Sequence, residues 1–309
     1  MERIFAKTEE KAPCVLAVGN FDGVHTAHRQ LLRITAGQAA SRGVKSAALT
    51  FSPHPKIALG YDMPLLADDA EKQRLILETG VDEVIFHPCT EKFLENDGAH
   101  FINDIIAGEY GALGLVVGFN FRFGKNASDG TEALVALCIE AGIDVMVMSR
   151  FVVGKTTVSS SAVRRALIDG DPEKANLFLG RNFTILGQVI KGRRIGREIG
   201  FPTLNVALDS KLIHPKNGVY TAFCSIDGEK LPGVLNIGVN PTVSGDKAET
   251  RAEIHLLNYS ESGGEAYGAH IKIELINFIR GERLFPDKSA LSAQIEKDIE
   301  TAKILFDKV

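Results

Sequence analysis

Two stretches of this chain combine glycines with histidine or basic residues in patterns suited to phosphate chemistry. The first is Gly19-Asn20-Phe21-Asp22-Gly23-Val24-His25-Thr26-Ala27-His28. Gly19 and Gly23 let the backbone come close to a ligand. His25 and His28, three apart, can share one face of the turn entering a helix and donate hydrogen bonds to phosphate oxygens. The same spacing also fits a glycine-punctuated loop whose histidines only cap or pack. The second stretch, Gly187 to Asn205, holds four glycines (Gly187, Gly192, Gly196, Gly200) and four basic residues (Lys191, Arg193, Arg194, Arg197) in nineteen positions. It can offer backbone N–H groups and positive charge to a polyphosphate, and on composition alone it also fits a basic hairpin loop.

These residues need elements to hold them, and the pattern of those elements changes near residue 180. Before it, short apolar runs (Cys14–Val18, Ser46–Phe51, Glu83–Phe86, Leu115–Val117, Asp144–Met148) alternate with helical stretches at His28–Arg42, Asp69–Thr79, Ala99–Ala107 and Thr131–Ala141. Apolar strands separated by helices imply a parallel sheet covered on both faces, an α/β domain. In such a sheet ligands bind at the carboxyl ends of strands beside helix N-termini, where the first stretch falls. Two shorter helices follow, Ser160–Ile168 and one entered by Asp171-Pro172 and ended by Gly180. Beyond them the runs Phe183–Ile190, Thr203–Ala207, Val219–Ile226, Gly233–Ile237, Ala252–Asn258 and Ile271–Ile279 read as strands. A last helix, Ser289–Asp307, puts Leu291, Ile295, Ile299, Ala302 and Leu305 on one face. The expectation is a small antiparallel β-barrel with a terminal helix, and two domains, 1–182 and 183–309.

Composition narrows the function. A chain of 309 residues with 45% hydrophobic and 24% charged residues is a globular chain long enough for two domains. A net charge of −4 speaks against nucleic acid as the main partner. The N-terminal segment mixes acids with its bases and lacks an apolar run, so it is not a signal peptide. No stretch approaches the roughly 18 apolar residues of a membrane span. Cys14, Cys89, Cys138 and Cys224 are scattered, as core residues of a cytoplasmic protein would be. Nothing implies a protein partner. Gly154-Lys155-Thr156 imitates the end of a phosphate-binding P-loop, but the pattern needs glycine at 149, which is Ser149, and Phe151-Val152-Val153 is too bulky to wrap phosphate.

With Thr50-Phe51-Ser52-Pro53-His54-Pro55, Gly118-Phe119-Asn120-Phe121-Arg122-Phe123-Gly124 and Ser159-Ser160-Ser161-Ala162-Val163-Arg164, the first stretch resembles the ordered motifs of the bacterial bifunctional riboflavin kinase/FMN adenylyltransferases, or FAD synthetases. The resemblance runs from about residue 13 to about 306 and implies a nucleotidylyltransferase-like first domain. There His25, His28 and Arg164 would act on the phosphates of ATP. Gly19, Phe21, Asp22, Gly23, His54, Asn120, Ser159, Ser160 and Ser161 would line the nucleotide and flavin site. Transfer of AMP from ATP to FMN uses an already anionic phosphate oxygen as nucleophile, so it needs charge neutralised and reactants aligned, with no general base. Pure N-capping would also account for the serines, a solvated loop for Asn120 and Arg122, and a stiff proline-flanked turn for His54.

The second half is similar to the riboflavin kinase domain of the same family. Gly200-Phe201-Pro202-Thr203-Leu204-Asn205 matches its GFPTxN motif, which implies that Thr203 and Asn205 hold the magnesium of bound ATP. Spaced by two on a strand, they would face one side. Gly187, Gly192, Arg193, Gly196 and Gly200 would line the nucleotide. Gly218-Val219-Tyr220, Asn236 to Thr242 and Glu253 to Asn258 match further motifs, and the resemblance makes Glu253 the base that takes the ribityl proton. Without it, Glu253 is one strand glutamate among many acids, and His255 reads as structural. The chain departs from the family at Ala27, where glycine is usual, at Ser161, Ala162 and Asn258, and from some members at Asn120. Two alternatives stay open: a kinase whose first domain only binds nucleotide or flavin in regulation, and an adenylyltransferase for another substrate with the barrel as a binding module.

Overall fold

The apolar runs of the first half pair into one sheet. The computed structural model describes residues 12–192, 195–226, 228–240, 249–257 and 266–308. Strands β1 (Cys14–Val18), β2 (Lys45–Ser52), β3 (Glu83–Pro88), β4 (Ala112–Gly118) and β5 (Asp144–Met148) lie parallel in the order β3-β2-β1-β4-β5. Every residue of β1 is buried, as a central strand covered on both faces requires. The helices are α1 (Thr26–Arg42), α2 (Pro55–Ala58), α3 (Asp69–Leu77), α4 (Glu91–Leu94), α5 (Gly98–His100), which runs on into a π-helical stretch at Phe101–Glu109, and α6 (Thr131–Glu140). Leu31 and Leu32 of α1 and Leu75 and Ile76 of α3 pack with Val15, Ala17 and Val116 on one face. On the other, Ile102 and Ile106 of the π-helical stretch and Leu134 of α6 meet Leu16, Leu49 and Leu115. The strand order reverses between β1 and β4, so their carboxyl ends flank the crevice where such sheets bind ligands.

Strands β6 (Val152–Val153) and β7 (Thr156–Thr157) form a hairpin. Its turn holds Gly154 with φ +59 and Lys155, so this segment turns between two strands and leads into no helix.

The chain forms two compact units that divide between Val158 and Ser159. Helices α7 (Ser160–Asp169) and α8 (Pro172–Leu179) therefore group with the barrel. Asn176 of α8 donates to the Leu275 carbonyl at 2.8 Å and accepts the Phe183 N–H at 2.7 Å, and Glu173 accepts from Asn277 at 2.7 Å. After β8 (Phe183–Ile190) come the short α9 (Ile195–Glu198), β9 (Leu204–Ala207), β10 (Gly218–Ile226), β11 (Glu229–Asn240), β12 (Glu249–Leu256), β13 (His270–Arg280) and α10 (Lys288–Phe306). The strands close an antiparallel barrel in the order β10-β11-β12-β9-β8-β13. Alternation fills it: Ala252, Ile254 and Leu256 are buried while Arg251, Glu253 and His255 between them are only half-buried. On α10, Ile299, Ala302 and Phe306 pack against Val219 and Val234. The same helix face carries Asp298, only 3% exposed, whose carboxylate accepts from Arg280 at 2.6–3.1 Å and from Gln294 at 2.9 Å.

Candidate active sites

The first candidate site begins where β1 stops. The Gly19 N–H donates to the Leu49 carbonyl at 3.1 Å, and the Thr50 hydroxyl donates to the Asn20 carbonyl at 3.1 Å, tying the turn to β2. Phe21 (φ +47), Gly23 (φ +74) and Val24 (φ +38) then take left-handed backbone. That region is unfavourable for a β-branched residue, so packing must impose it. Phe21 and Val24 are completely enclosed, and a Cβ on Gly23 would fall 2.7 Å from the Leu66 side chain. The Asp22 carboxylate is 2% exposed and accepts the Leu66 N–H at 2.9 Å. Asp22 therefore braces the turn against the segment leading into α3.

This brace delivers two histidines. His25 is the N-cap of α1, its Nδ1 accepting the His28 N–H at 3.3 Å. With Nδ1 accepting, the neutral ring carries its proton on Nε2. The His28 ring stacks on it, with centroids 3.5 Å apart and planes 16° from parallel, and the edge of Phe21 lies 5.2 Å away. Burial and then the adjacent His25 hold His28 well below the ordinary histidine pKa of 6.5. Its buried Nδ1 has no hydrogen-bond partner among the described residues. A buried polar nitrogen without a partner is costly to the free protein.

The remaining expected residues of this half fall into three places. His54 caps α2 at the end of β2, is 8% exposed, and accepts the Lys56 N–H on Nδ1 at 3.1 Å. Asn120 stands exposed in the turn after β4, while Arg122 donates to the Ala127 carbonyl at 3.1 Å and so closes its own loop. Ser159 caps α7, accepting the Ala162 N–H at 3.2 Å, with Ser160, Ser161 and Arg164 on the first turns of that helix in the second unit.

The second candidate site is set by strand register. Glu253 on β12 lies directly opposite Asn205 on β9 and Asn236 on β11. Paired residues point to one side of a sheet, so the three form a row on the outer barrel face. Beside it is a cavity of about 20 Å³, lined by Gly192, Arg197, Thr203, Asn205 and Tyr267 among others. A Cβ on Gly192 would lie 2.2 Å from the Asn205 amide, so only glycine admits that side chain. The strand starts at Leu204, one residue later than expected, so Thr203 reaches the cavity from the loop before it and not as a strand position in step with Asn205. Gly187 and Gly196 have packing reasons for lacking a side chain: a Cβ would fall 2.4 Å from Val206 and 2.3 Å from the Phe201 carbonyl. Gly200 takes φ +89 in the turn before Phe201. His255 donates from Nδ1 to the Pro202 carbonyl at 2.8 Å and fixes that loop. Arg193, Pro241, Thr242 and Asn258 lie outside the described residues. Arg197, one of the four basic residues of the Gly187 to Asn205 stretch, lines the cavity, and Tyr267, which sequence reasoning missed, reaches it from a distant part of the chain.

Thr203 and Asn205 each bring a side-chain oxygen to this cavity, a donor set that fits a magnesium ion, which usually takes one or two protein ligands and fills its shell with phosphate and water. Among the described residues no cluster of three or more His, Cys, Asp or Glu side chains could hold a metal by itself.

Comparison with known proteins decides the family. The FAD synthetase family model matches residues 7–162 and the riboflavin kinase model residues 179–306. A bifunctional riboflavin kinase/FMN adenylyltransferase of Escherichia coli K12 is 37% identical over 95% of this chain and 93% of its own. The chain belongs to the bifunctional riboflavin kinase/FMN adenylyltransferase family. The Bacillus subtilis member is 36% identical over 95% of this chain and 93% of its own. A crystal structure of a Streptococcus pneumoniae protein described as a macrolide-efflux protein is 26% identical, with a TM-score of 0.85 over 94% of both chains. Among the described residues of this family member no helix is long and apolar enough to cross a membrane.

Proposed function

We propose that this enzyme makes FMN and then FAD. Riboflavin and ATP give FMN and ADP at the barrel; FMN and a second ATP give FAD and pyrophosphate at the first domain. The observation that carries this reading is the row joining Glu253 to Asn205 at the edge of the Gly192–Thr203 cavity. A binding module has no need of a carboxylate there, and a hydroxyl nucleophile does.

At the barrel, the ribityl hydroxyl gives its proton to Glu253 as its oxygen attacks the γ-phosphorus, and ADP leaves. Thr203 and Asn205 would hold magnesium on the ATP phosphates, where the ion would neutralise phosphate charge. Gly187, Gly192, Arg193, Gly196 and Gly200 belong to the loop that surrounds the nucleotide. At the first domain, a phosphate oxygen of FMN attacks the α-phosphorus and pyrophosphate leaves. His25 and His28 meet the phosphates. Burial and His25 favour the neutral form of His28 in the free protein, and the negative charge of an approaching polyphosphate acts against both and raises its basicity. Asp22 acts by bracing the turn, His54 and Asn120 contact nucleotide or flavin, and Ser159, Ser160, Ser161 and Arg164 serve the same transfer. The catalytic boundary is placed at 182/183, and both reactions are placed in the cytoplasm.

Purified protein incubated with riboflavin, ATP and magnesium, followed by chromatography of the flavins, tests the whole scheme. FMN and FAD are the expected products. FMN alone would reduce the first domain to a binding module, and neither product would remove the kinase assignment.

A further inference from the structure

We infer that Lys72 is a positioning residue for adenylyl transfer, fixing the loop that carries His54 through Asp69 and Ser52. This rests on the reading of His54 as a contact to nucleotide or flavin.

Lys72 is only 2% exposed, which is rare for an ammonium group unless it is paired. Its Nζ lies 2.8 Å from Asp69 Oδ1 and 5.2 Å from the centre of the Phe86 ring on β3. The other Asp69 oxygen, Oδ2, accepts the Ser52 hydroxyl at 2.6 Å. Ser52 is the last residue of β2, two before His54, and its carbonyl accepts the Cys89 N–H at 3.1 Å. The chain of contacts therefore runs from a buried cation, through one carboxylate in the first turn of α3, to the exit of the strand that delivers His54. Burial pushes the Asp69 carboxyl up, but the bonds from Lys72 and Ser52 outweigh this and hold it below the ordinary carboxylate value. It stays charged and keeps accepting from both.

Stability alone gives little reason to keep such a pair. Lys72 is enclosed, but the Asp69 side chain is 46% exposed, and a pair with one partner in water adds little net stability, which leaves fixing one arrangement among several as its better-attested use. The arrangement fixed here concerns both loops of the site. The segment ahead of the pair holds Leu66, which receives Asp22 and packs on Gly23, while Asp69 and Lys72 hold Ser52. Residues 66–72 thus anchor the His25 turn and the His54 turn on one short stretch.

The test uses the full chain with FMN, ATP and magnesium, and wild type measured alongside. Lys72→Met keeps length and removes the charge. It should lower kcat for FAD formation by about 10- to 100-fold, with an unchanged Tm and unchanged riboflavin phosphorylation. Lys72→Arg should recover most of the loss, which a purely space-filling role does not predict. Ser52→Ala removes only the tie and should lower kcat in the same direction. A folded Lys72→Met protein with wild-type kcat overturns the inference. If Lys72→Met does not fold, Ser52→Ala decides: wild-type kcat overturns the inference, and a tenfold loss supports it. Wild type that forms no FAD overturns the transfer reading itself and the inference with it.

Discussion

In the first unit the candidate chemistry hangs from a turn in which Phe21, Gly23 and Val24 take left-handed backbone, whereas in the second it is laid across paired strands that set Asn205, Glu253 and Asn236 side by side. The turn is held by enclosure: Leu49, Thr50 and Leu66 each tie it down, and Gly23 has no room for a methyl group. The row is held by register, which a side-chain change on the outer face leaves alone. A site of the first kind is sensitive to volume around it, and one of the second kind to the chemistry of the group removed. Substitutions that respect or cross this division are the way to test it.

The largest effect is expected at Glu253. Glu253→Gln keeps size and hydrogen bonding but removes the base, so riboflavin phosphorylation should fall by roughly 10²–10⁴-fold. Supplied FMN should still be adenylylated at the wild-type rate, since the substitution touches only the strand row. Steady-state assays of the two half-reactions check this, and normal kinase turnover would take Glu253 out of the mechanism.

Next come the fragments. Residues 183–309 contain the kinase motifs, but the compact unit starts at Ser159, and α8 donates to and accepts from β13 and the start of β8. Phe178 and Leu179 of α8 are 2% and 0% exposed. Cutting at 183 strips them away, so 183–309 should phosphorylate riboflavin yet be less stable than 159–309 by roughly 3 kcal/mol or more. Urea titration of the two fragments measures the gap, and equal midpoints would make α8 a passive linker.

His28→Ala should lower FAD formation by about 10²-fold, as loss of one preorganised group at a developing charge does, and leave FMN formation intact. Comparable loss of both activities in a folded protein would end the division of labour between the units.

How far this contrast was legible in sequence differs between the two halves. The five strands were readable as short apolar runs, buried throughout in β1 and only half-buried in the edge strands β3 and β5, and β1 and β5 fall on the expected residues. In the barrel, β8 falls on the expected residues and β9 begins one residue late, but β11 was read short. Gly233–Ile237 is part of Glu229–Asn240, because Pro232 looks like a break, yet in the structure its carbonyl accepts the Leu257 N–H at 2.8 Å and the strand runs through it. The helix expected at His28 starts at Thr26, since His25 serves as cap and a histidine cap is not a strong signal. Spacing could suggest that His25 and His28 share a face, but not that the rings stack at 3.5 Å. Nothing in the sequence marked Asp298 or Lys72 as buried, because Arg280, which holds Asp298, lies on another element, and Ser52 reaches Lys72 only through Asp69.

Acid should separate the units as well. His28 has its pKa lowered by burial and by His25, so the stability it contributes is full above 6.5 and is lost as pH falls below that value. In the barrel, burial pushes Glu274 up, but Lys230 and Lys272 outweigh it and bring its pKa from 4.5 to about 2. Its contribution is full above 4.5 and is lost only as pH falls from there toward 2. Thermal scans should therefore show the first unit weakening as pH falls below 6.5, while the barrel holds down to 4.5, and His28→Ala should flatten that first decline. Parallel decline of both transitions over this range would break the contrast.

The smallest effect, and the sharpest test of volume sensitivity, is at Ala27. It occupies the first turn of α1 between the two histidines, where the family usually has glycine, and it is half-buried. Alanine favours the helix over glycine by roughly 0.5–1 kcal/mol, while its methyl group stands where the helix start would approach a nucleotide. If that crowding costs about 1 kcal/mol in the transition state, Ala27→Gly should raise kcat/KM for adenylylation by roughly fivefold. The Tm of the first unit should drop slightly, and kinase activity should not move, because nothing in the strand row depends on α1. A folded Ala27→Gly protein with flat or reduced adenylylation would show that the turn, tight as it is around Gly23, ends before Ala27, and that the nucleotide approaches His25 and His28 from a side the methyl group does not face.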